Sequence, residues 1–393
     1  VGLTVLPEIL RSLPQEDYGT FAFALAVQGW VLASTGLRTL EGAKRGLAQG
    51  LDGTLLFALK KRLLVLLIGC VIGLGLIGAF YLITDSEDAA RLAVIGILLA
   101  PALLLPEAVE AYLVAKRRFG SVAAYRITRN LTVPLGSAAA AIYTGDIFIF
   151  ALAQWVIPGV IGGIFLATVI AREHLIAAYR KGQYDPDCYR YGLKLIPTDL
   201  VTITANKSSH LFMGEFIGYR ALGVFAVSWK LREQSARILR FPRQLLYSDY
   251  AQQPLKTILR KLWKILGLTF LVGTLIGGLA ALAGYAYVTW LLEPEYHEAW
   301  IFFAILSAGL PAVLAGAVVQ TAFEAHLRSR EMSIAFLCAD LFKLVAIIAA
   351  CVLKDIYLVA IAEVLTNWIR TTIFLVLLRK HLVHKTNEET ITT

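Results

Sequence analysis

The sequence predicts an all-α polytopic membrane protein made of two six-helix lobes related by a parallel internal repeat. Three observations carry this. Of 393 residues, 58% are hydrophobic and 17% charged, where a soluble domain keeps about a quarter charged. The apolar residues fall into runs of roughly 20, the length that crosses a hydrocarbon core about 30 Å thick. Finally, Lys and Arg crowd alternate connections between those runs.

The first run before residue 11 is incomplete, so the sequence is expected to lack most of a first helix. Spans then follow at 18–37, 63–83, 92–115, 125–144 and 147–171. A polar loop, "REHLIAAYRKGQYDPDCYRYGLK", leads to further spans at 195–217, 220–240, 265–291, 299–323, 332–353 and 355–378. Lys60, Lys61 and Arg62, then Lys116, Arg117 and Arg118, then Arg180 and Lys181 occupy one set of connections. Arg260, Lys261 and Lys264, then Arg328 and Arg330, then Arg379 and Lys380 continue that set. The other set, "TDSEDAA", "YTGD" and "EPEYHEA", is nearly free of them. The positive-inside rule places the basic set and the C-terminus in the cytoplasm of a cell-membrane protein. The net charge of +9 is thereby accounted for without nucleic acid.

Internal similarity divides the chain into lobes at 1–194 and 195–393. Gly19, Phe21 and Ala22 match Gly223, Phe225 and Ala226, and Pro101, Ala115 and Arg118 match Pro311, Ala325 and Arg328. An even number of spans per half makes the repeat parallel.

Ionisable residues inside a bilayer cost roughly 2.5–3.5 kcal/mol each and face a cavity or a partner. On span 195–217, Asp199, Thr202, Asn206 and His210 recur at steps of three or four and share a face; Lys207 lies on the same span. The next span, containing "SWKLREQSARILRF", is apolar over only "ALGVFAVSW", so it must extend through Lys230, Arg232, Glu233 and Arg237 toward Arg240. Lys207, His210, Lys230, Arg232 and Arg237 are therefore candidates for a basic cavity that accepts an anion, since Lys and Arg suit phosphate oxygens. Asp199, Glu107 and Glu110 are candidate coupling groups, although Glu110 and Glu107 can equally pair with Arg126 or Arg129. Asp340 and Lys343 are spaced for an intrahelical pair, and Glu363, Asn367 and Arg370 share a face suited to joining helices. Pro101, Pro106, Pro134, Pro158 and Pro311 are expected to break helices locally, as hinges or, more commonly, as kinks that only shape the bundle.

Cys70, Cys338 and Cys351 lie in spans and Cys188 in a loop, with no metal or redox spacing. No "GxxxxGK[ST]" loop occurs. No metal, cofactor or catalytic constellation is expected.

"LPEILRSLPQEDYGTFAFALAVQGW", "EAYLVAKRRF" and "EPEYHEAW" resemble elements of polysaccharide transporters and O-antigen flippases, within the multidrug/oligosaccharidyl-lipid/polysaccharide flippase superfamily. The resemblance implies a V-shaped alternating-access bundle and a polyprenyl-diphosphate-linked glycan as substrate, with membrane lipids and glycan polymerase or assembly proteins as partners. It also implies a role in polysaccharide or lipopolysaccharide O-antigen biosynthesis. A multidrug cation antiporter of the same superfamily is the alternative, expected to show a carboxylate-rich cavity. A membrane glycan polymerase or ligase is a third reading, for which the external loops lack acid/base clusters.

Overall fold

The computed structural model describes residues 2–33, 39–83, 86–238, 250, 255–325 and 329–391. Every regular element in it is helical, and the chain divides into two compact units, Val1–Glu215 and Phe216–Thr393. This packing boundary falls after the helix that, by the internal repeat, opens the second half.

Unit 1 contains α1 (Gly2–Ser12), α2 (Gln15–Ala33), α3 (Thr39–Ala48), α4 (Thr54–Ile83), α5 (Glu87–Ala115), α6 (Phe119–Thr144), α7 (Ile147–Arg172), α8 (Leu175–Arg180) and α9 (Asp187–Phe216). Unit 2 contains α10 (Tyr219–Ile238), α11 (Leu255–Leu291), a 3₁₀ turn at Pro294–Tyr296, α12 (Ala299–Ser307), α13 (Leu310–Ala325), α14 (Ser329–Val352) and α15 (Ile356–Ile391). Seven of the described helical stretches are long and apolar enough to cross a bilayer. The protein is a multi-pass membrane protein.

The helices pack through small residues, as membrane helices do when lipid removes the usual hydrophobic drive. α5 and α7 approach closely in unit 1: a Cβ on Gly162 would stand 2.6 Å from the Pro106 ring, and one on Gly159 2.9 Å from Ala102. Phe21 sits edge-on to Phe150 of α7 with centroids 4.9 Å apart, whereas its match Phe225 packs on Phe302 of α12 at 6.5 Å, so the matched rings meet non-equivalent helices. Both phenylalanines are buried.

The proline expectation is corrected. Pro101, Pro106, Pro134 and Pro158 all lie inside continuous helices; at Pro311 alone of the five does a helix stop, between α12 and α13. Proline removes one backbone donor, and neighbouring helices can satisfy what it frees. At the α12–α13 break α15 does so visibly: Trp368 Nε1 donates to the Ala308 carbonyl (3.3 Å) and Thr371 Oγ1 to that of Ala312 (2.8 Å).

Two helix corners are built alike. Gly145, left-handed at φ 61°, ends α6, and the Asp146 carboxylate then accepts from Phe148 N at 2.7 Å to cap α7. Lys354, at φ 56°, ends α14, and Asp355 accepts from Tyr357 N at 2.8 Å to cap α15. These two caps set where α7 and α15 begin after α6 and α14.

Candidate functional site

The densest group of buried charge among the described residues lies in unit 2, between α14 and α15. Lys343 Nζ reaches Glu363 Oε2 at 2.7 Å, and Arg370 Nη2 donates to Asp340 Oδ1 at 2.6 Å. The side chains of Asp340, Lys343 and Glu363 are 0%, 3% and 2% exposed. Each pair therefore joins two helices, where the spacing within α14 alone suggests an intrahelical contact.

Placing these residues on facing helices follows from their periods. Asp340 and Lys343 are one turn apart on α14; Glu363 and Arg370 are two turns apart on α15, with Asn367 between them on the same face. Asn367 Nδ2 donates to the Glu363 carbonyl at 2.9 Å and lies 3.4 Å from where a Cβ of Gly309, at the α12–α13 break, would stand. The charged seam thus runs beside the interrupted helix.

An aromatic ring completes the group. Lys343 Nζ stands 5.5 Å from the Trp229 ring centroid, and the Arg232 guanidinium carbon 4.8 Å from it. Arg370 is 4.9 Å from the Phe336 ring. Such distances are those of cation–π contacts, worth up to about 2 kcal/mol when desolvated. Lys343 consequently has two favourable neighbours, a carboxylate and an indole face. The second Glu363 oxygen, Oε1, is buried and makes no hydrogen bond among the described residues. A buried carboxylate oxygen without a donor is open to a further cationic partner.

The residues anticipated from sequence are divided between the units. In unit 1, α9 carries Asp199, Lys207 and His210. Asp199 and His210 are buried, and Asn206, expected on their face, is exposed. His210 Nδ1 is 3.3 Å from Ser209 Oγ. The Lys207 stem lies against α2, where a Cβ on Gly29 would sit 3.1 Å from Lys207 Cε, and one turn away Trp30 Nε1 donates to Thr204 Oγ1 at 2.9 Å. Glu107 accepts from the fully buried Arg62 at 2.5 Å, and Glu110 from Arg126.

In unit 2, α10 carries Lys230, half-buried, and Arg232 on Trp229. Arg237 belongs to α10 but its side chain lies outside the described residues, as does Arg240.

Sequence reasoning gave the α14–α15 charges only a joining role. A signal was present in the repeat. With the Arg118/Arg328 match and the Asp146/Asp355 caps as register, Asp340, Lys343, Glu363 and Arg370 correspond to Asn130, Val133, Gln154 and Ile161. Both acids become the matching amides and both cations become apolar.

No family model and no curated protein matches the chain. Solved structures do share its fold. An inward-facing multidrug resistance MATE family transporter of the MOP superfamily superposes with TM-score 0.75 at 12% identity, covering 98% of this chain and 95% of that one. A MATE protein in a bent conformation gives 0.60 at 13% identity, covering 100% and 99%. A MOP superfamily transporter from Pyrococcus furiosus, for which reverse polarity of the binding pocket suggests a different function, gives 0.59 at 11% identity, covering 97% and 93%. The chain shares the all-α fold of these membrane transporters.

These likenesses correct the family expectation. The fold neighbours are MATE and MOP superfamily transporters, not O-antigen flippases, so the polyprenyl-diphosphate glycan, the glycan-assembly partners and the polysaccharide and lipopolysaccharide roles fall away. The motifs behind the resemblance have a plainer cause. "LPQEDYG" is the α1–α2 corner: Pro14 precedes α2, Glu16 and Asp17 occupy its first turn, and Tyr18 is buried. "EPEYHEAW" is likewise the 3₁₀ turn that opens α12, with Tyr296 buried.

Proposed function

We propose that the chain is a secondary transporter of the multidrug type, exchanging small organic cations by alternating access, with the α14–α15 carboxylates as its cation site. The observation that carries this is the seat of Lys343, between Glu363 at 2.7 Å and the Trp229 ring at 5.5 Å. Lys343 and Arg370 act there as resident cations. A cation arriving at Glu363 or Asp340, whether cargo or proton, takes the carboxylate and releases the resident side chain. Proton and cargo cannot hold one carboxylate together, and that exclusion is the physical content of exchange. Trp229 offers either cation an electron-rich face.

The basic connections and the C-terminus are assigned to the cytoplasm on the alternation of Lys and Arg. Of the residues anticipated from sequence, Arg232 takes part through Trp229. Asp199, Lys207, His210, Glu107 and Glu110 are assigned to unit 1's own contribution to cargo binding or coupling.

The test is uptake of a fluorescent organic cation into proteoliposomes under an imposed pH gradient. Wild type moves the dye and dissipates the gradient. Glu363→Gln inserts normally and moves at least tenfold less. Dye movement by Glu363→Gln at the wild-type rate would remove the site from the mechanism.

A further inference from the structure

At the opposite end of unit 1's charge economy lies a groove that cation exchange does not use. We propose that it binds an anionic phospholipid of the cytoplasmic leaflet. The leaflet rests on the orientation inferred above; the site itself does not.

The groove is formed where α7 hands over to α8. Its volume is about 700 Å³, and it is lined by Ala167, Ile170 and Ala171 on α7, by His174, and by Ile176, Ala177, Arg180 and Lys181 on and beyond α8. The corner depends on His174, whose φ of 51° is left-handed. That kink turns α8 aside, so Leu175 packs inward fully buried while Ile176 is 51% exposed.

One wall is therefore apolar and continuous with the lipid-facing side of α7, where Ile164 is 61% exposed. The rim is cationic. Arg180, Lys181 and His174 have no acidic partner among the described residues, and Arg172 ends α7 beside them. The one nearby carboxylate, Glu173, is engaged elsewhere: Arg118 Nη1 reaches it at 2.6 Å and holds it below the usual carboxylate range. Two cations over an apolar wall at the membrane border complement a phosphodiester headgroup with its acyl chain. Each contributes attraction to anionic lipid that decays within a Debye length of the surface.

The experiment measures co-purified and added lipid by native mass spectrometry of the full-length protein, with phosphatidylglycerol and phosphatidylcholine as probes. Wild type retains phosphatidylglycerol over phosphatidylcholine. The double variant Arg180→Ala/Lys181→Ala weakens phosphatidylglycerol binding by roughly 30-fold, and Ala177→Trp, which fills the groove and keeps the charges, weakens it comparably. Arg91→Ala, on a basic residue outside the groove, leaves binding unchanged and serves as the control. Unchanged retention in either groove variant overturns the site, as does equal retention of phosphatidylcholine. Displacement of the lipid by millimolar inorganic phosphate would replace it with a free-anion site. Dye uptake by the double variant separates the two proposals, because loss of lipid with normal exchange refutes neither.

Discussion

Two helix pairs matched by the repeat, α6–α7 in unit 1 and α14–α15 in unit 2, start from one plan and end in different chemistry. In unit 1 the α6–α7 seam is neutral: Gln154 Nε2 donates to Ser137 Oγ at 2.9 Å, and Ser137 returns a bond to the Val133 carbonyl. In unit 2 the α14–α15 seam holds two ion pairs, of which Asp340, Lys343 and Glu363 are buried and Arg370 is partly exposed. Gln154 and Glu363 occupy matching positions, so an amide closes one seam and a carboxylate the other. The helix beside each seam differs too: α5 runs unbroken through Pro101, whereas its match, Pro311, follows the gap between α12 and α13. Since unit 1 packs the middle of this helix pair without charge, its one ion pair, Arg118–Glu173, lying at the helix ends, packing does not demand the mid-helix charges of unit 2. Buried ion pairs are commonly no more stabilising than apolar replacements, because desolvation offsets their attraction. Their retention in one half points to use.

That contrast can be broken one residue at a time. Lys343→Met leaves Glu363 buried without its cation and is expected to destabilise the protein by about 3–5 kcal/mol, read as a lowered thermal midpoint in detergent. Gln154→Leu, the matching insult in unit 1, removes only a neutral hydrogen bond and should cost about 1–2 kcal/mol. Equal losses from the two would erase the distinction between the seams. Gly162→Ala probes the tight α5–α7 approach, where a Cβ meets Pro106 at 2.6 Å; overpacking should cost about 1–3 kcal/mol, and a neutral result would mean the helices separate freely. Smallest, Lys354→Gly supplies at the α14 corner the glycine that Gly145 supplies at the α6 corner. Relief of the left-handed φ of 56° should stabilise by about 1 kcal/mol, measured by denaturation midpoint.

The fold was legible because its causes are local. Apolar runs such as Leu63–Ile83 and Ile147–Ala171 announce their spans by length alone, and matches such as Phe21 and Phe225 announce the duplication. The ionic seam was not, because Lys343 and Glu363 are 20 residues apart on different helices, and nearness along the chain suggested Asp340 as the partner of Lys343. Prolines misled for a similar reason: Pro101 and Pro311 are the same residue in the same repeat, and only the neighbours decide whether the helix breaks. The substrate was misread because "LPQEDYG" and "EPEYHEAW" are helix corners in which Tyr18 and Tyr296 are buried as packing residues. Lys343 and Arg370 were read as pairing or joining charges, so their place beside Trp229 and Phe336 was not anticipated.

Copying unit 1's seam into unit 2, as Asp340→Asn, Lys343→Val, Glu363→Gln and Arg370→Ile in one chain, tests the central claim most directly. Proteoliposomes containing the fourfold variant should show a protein within about 2 kcal/mol of wild-type stability that no longer exchanges a fluorescent organic cation for protons. Exchange at the wild-type rate from that neutral variant would contradict the account.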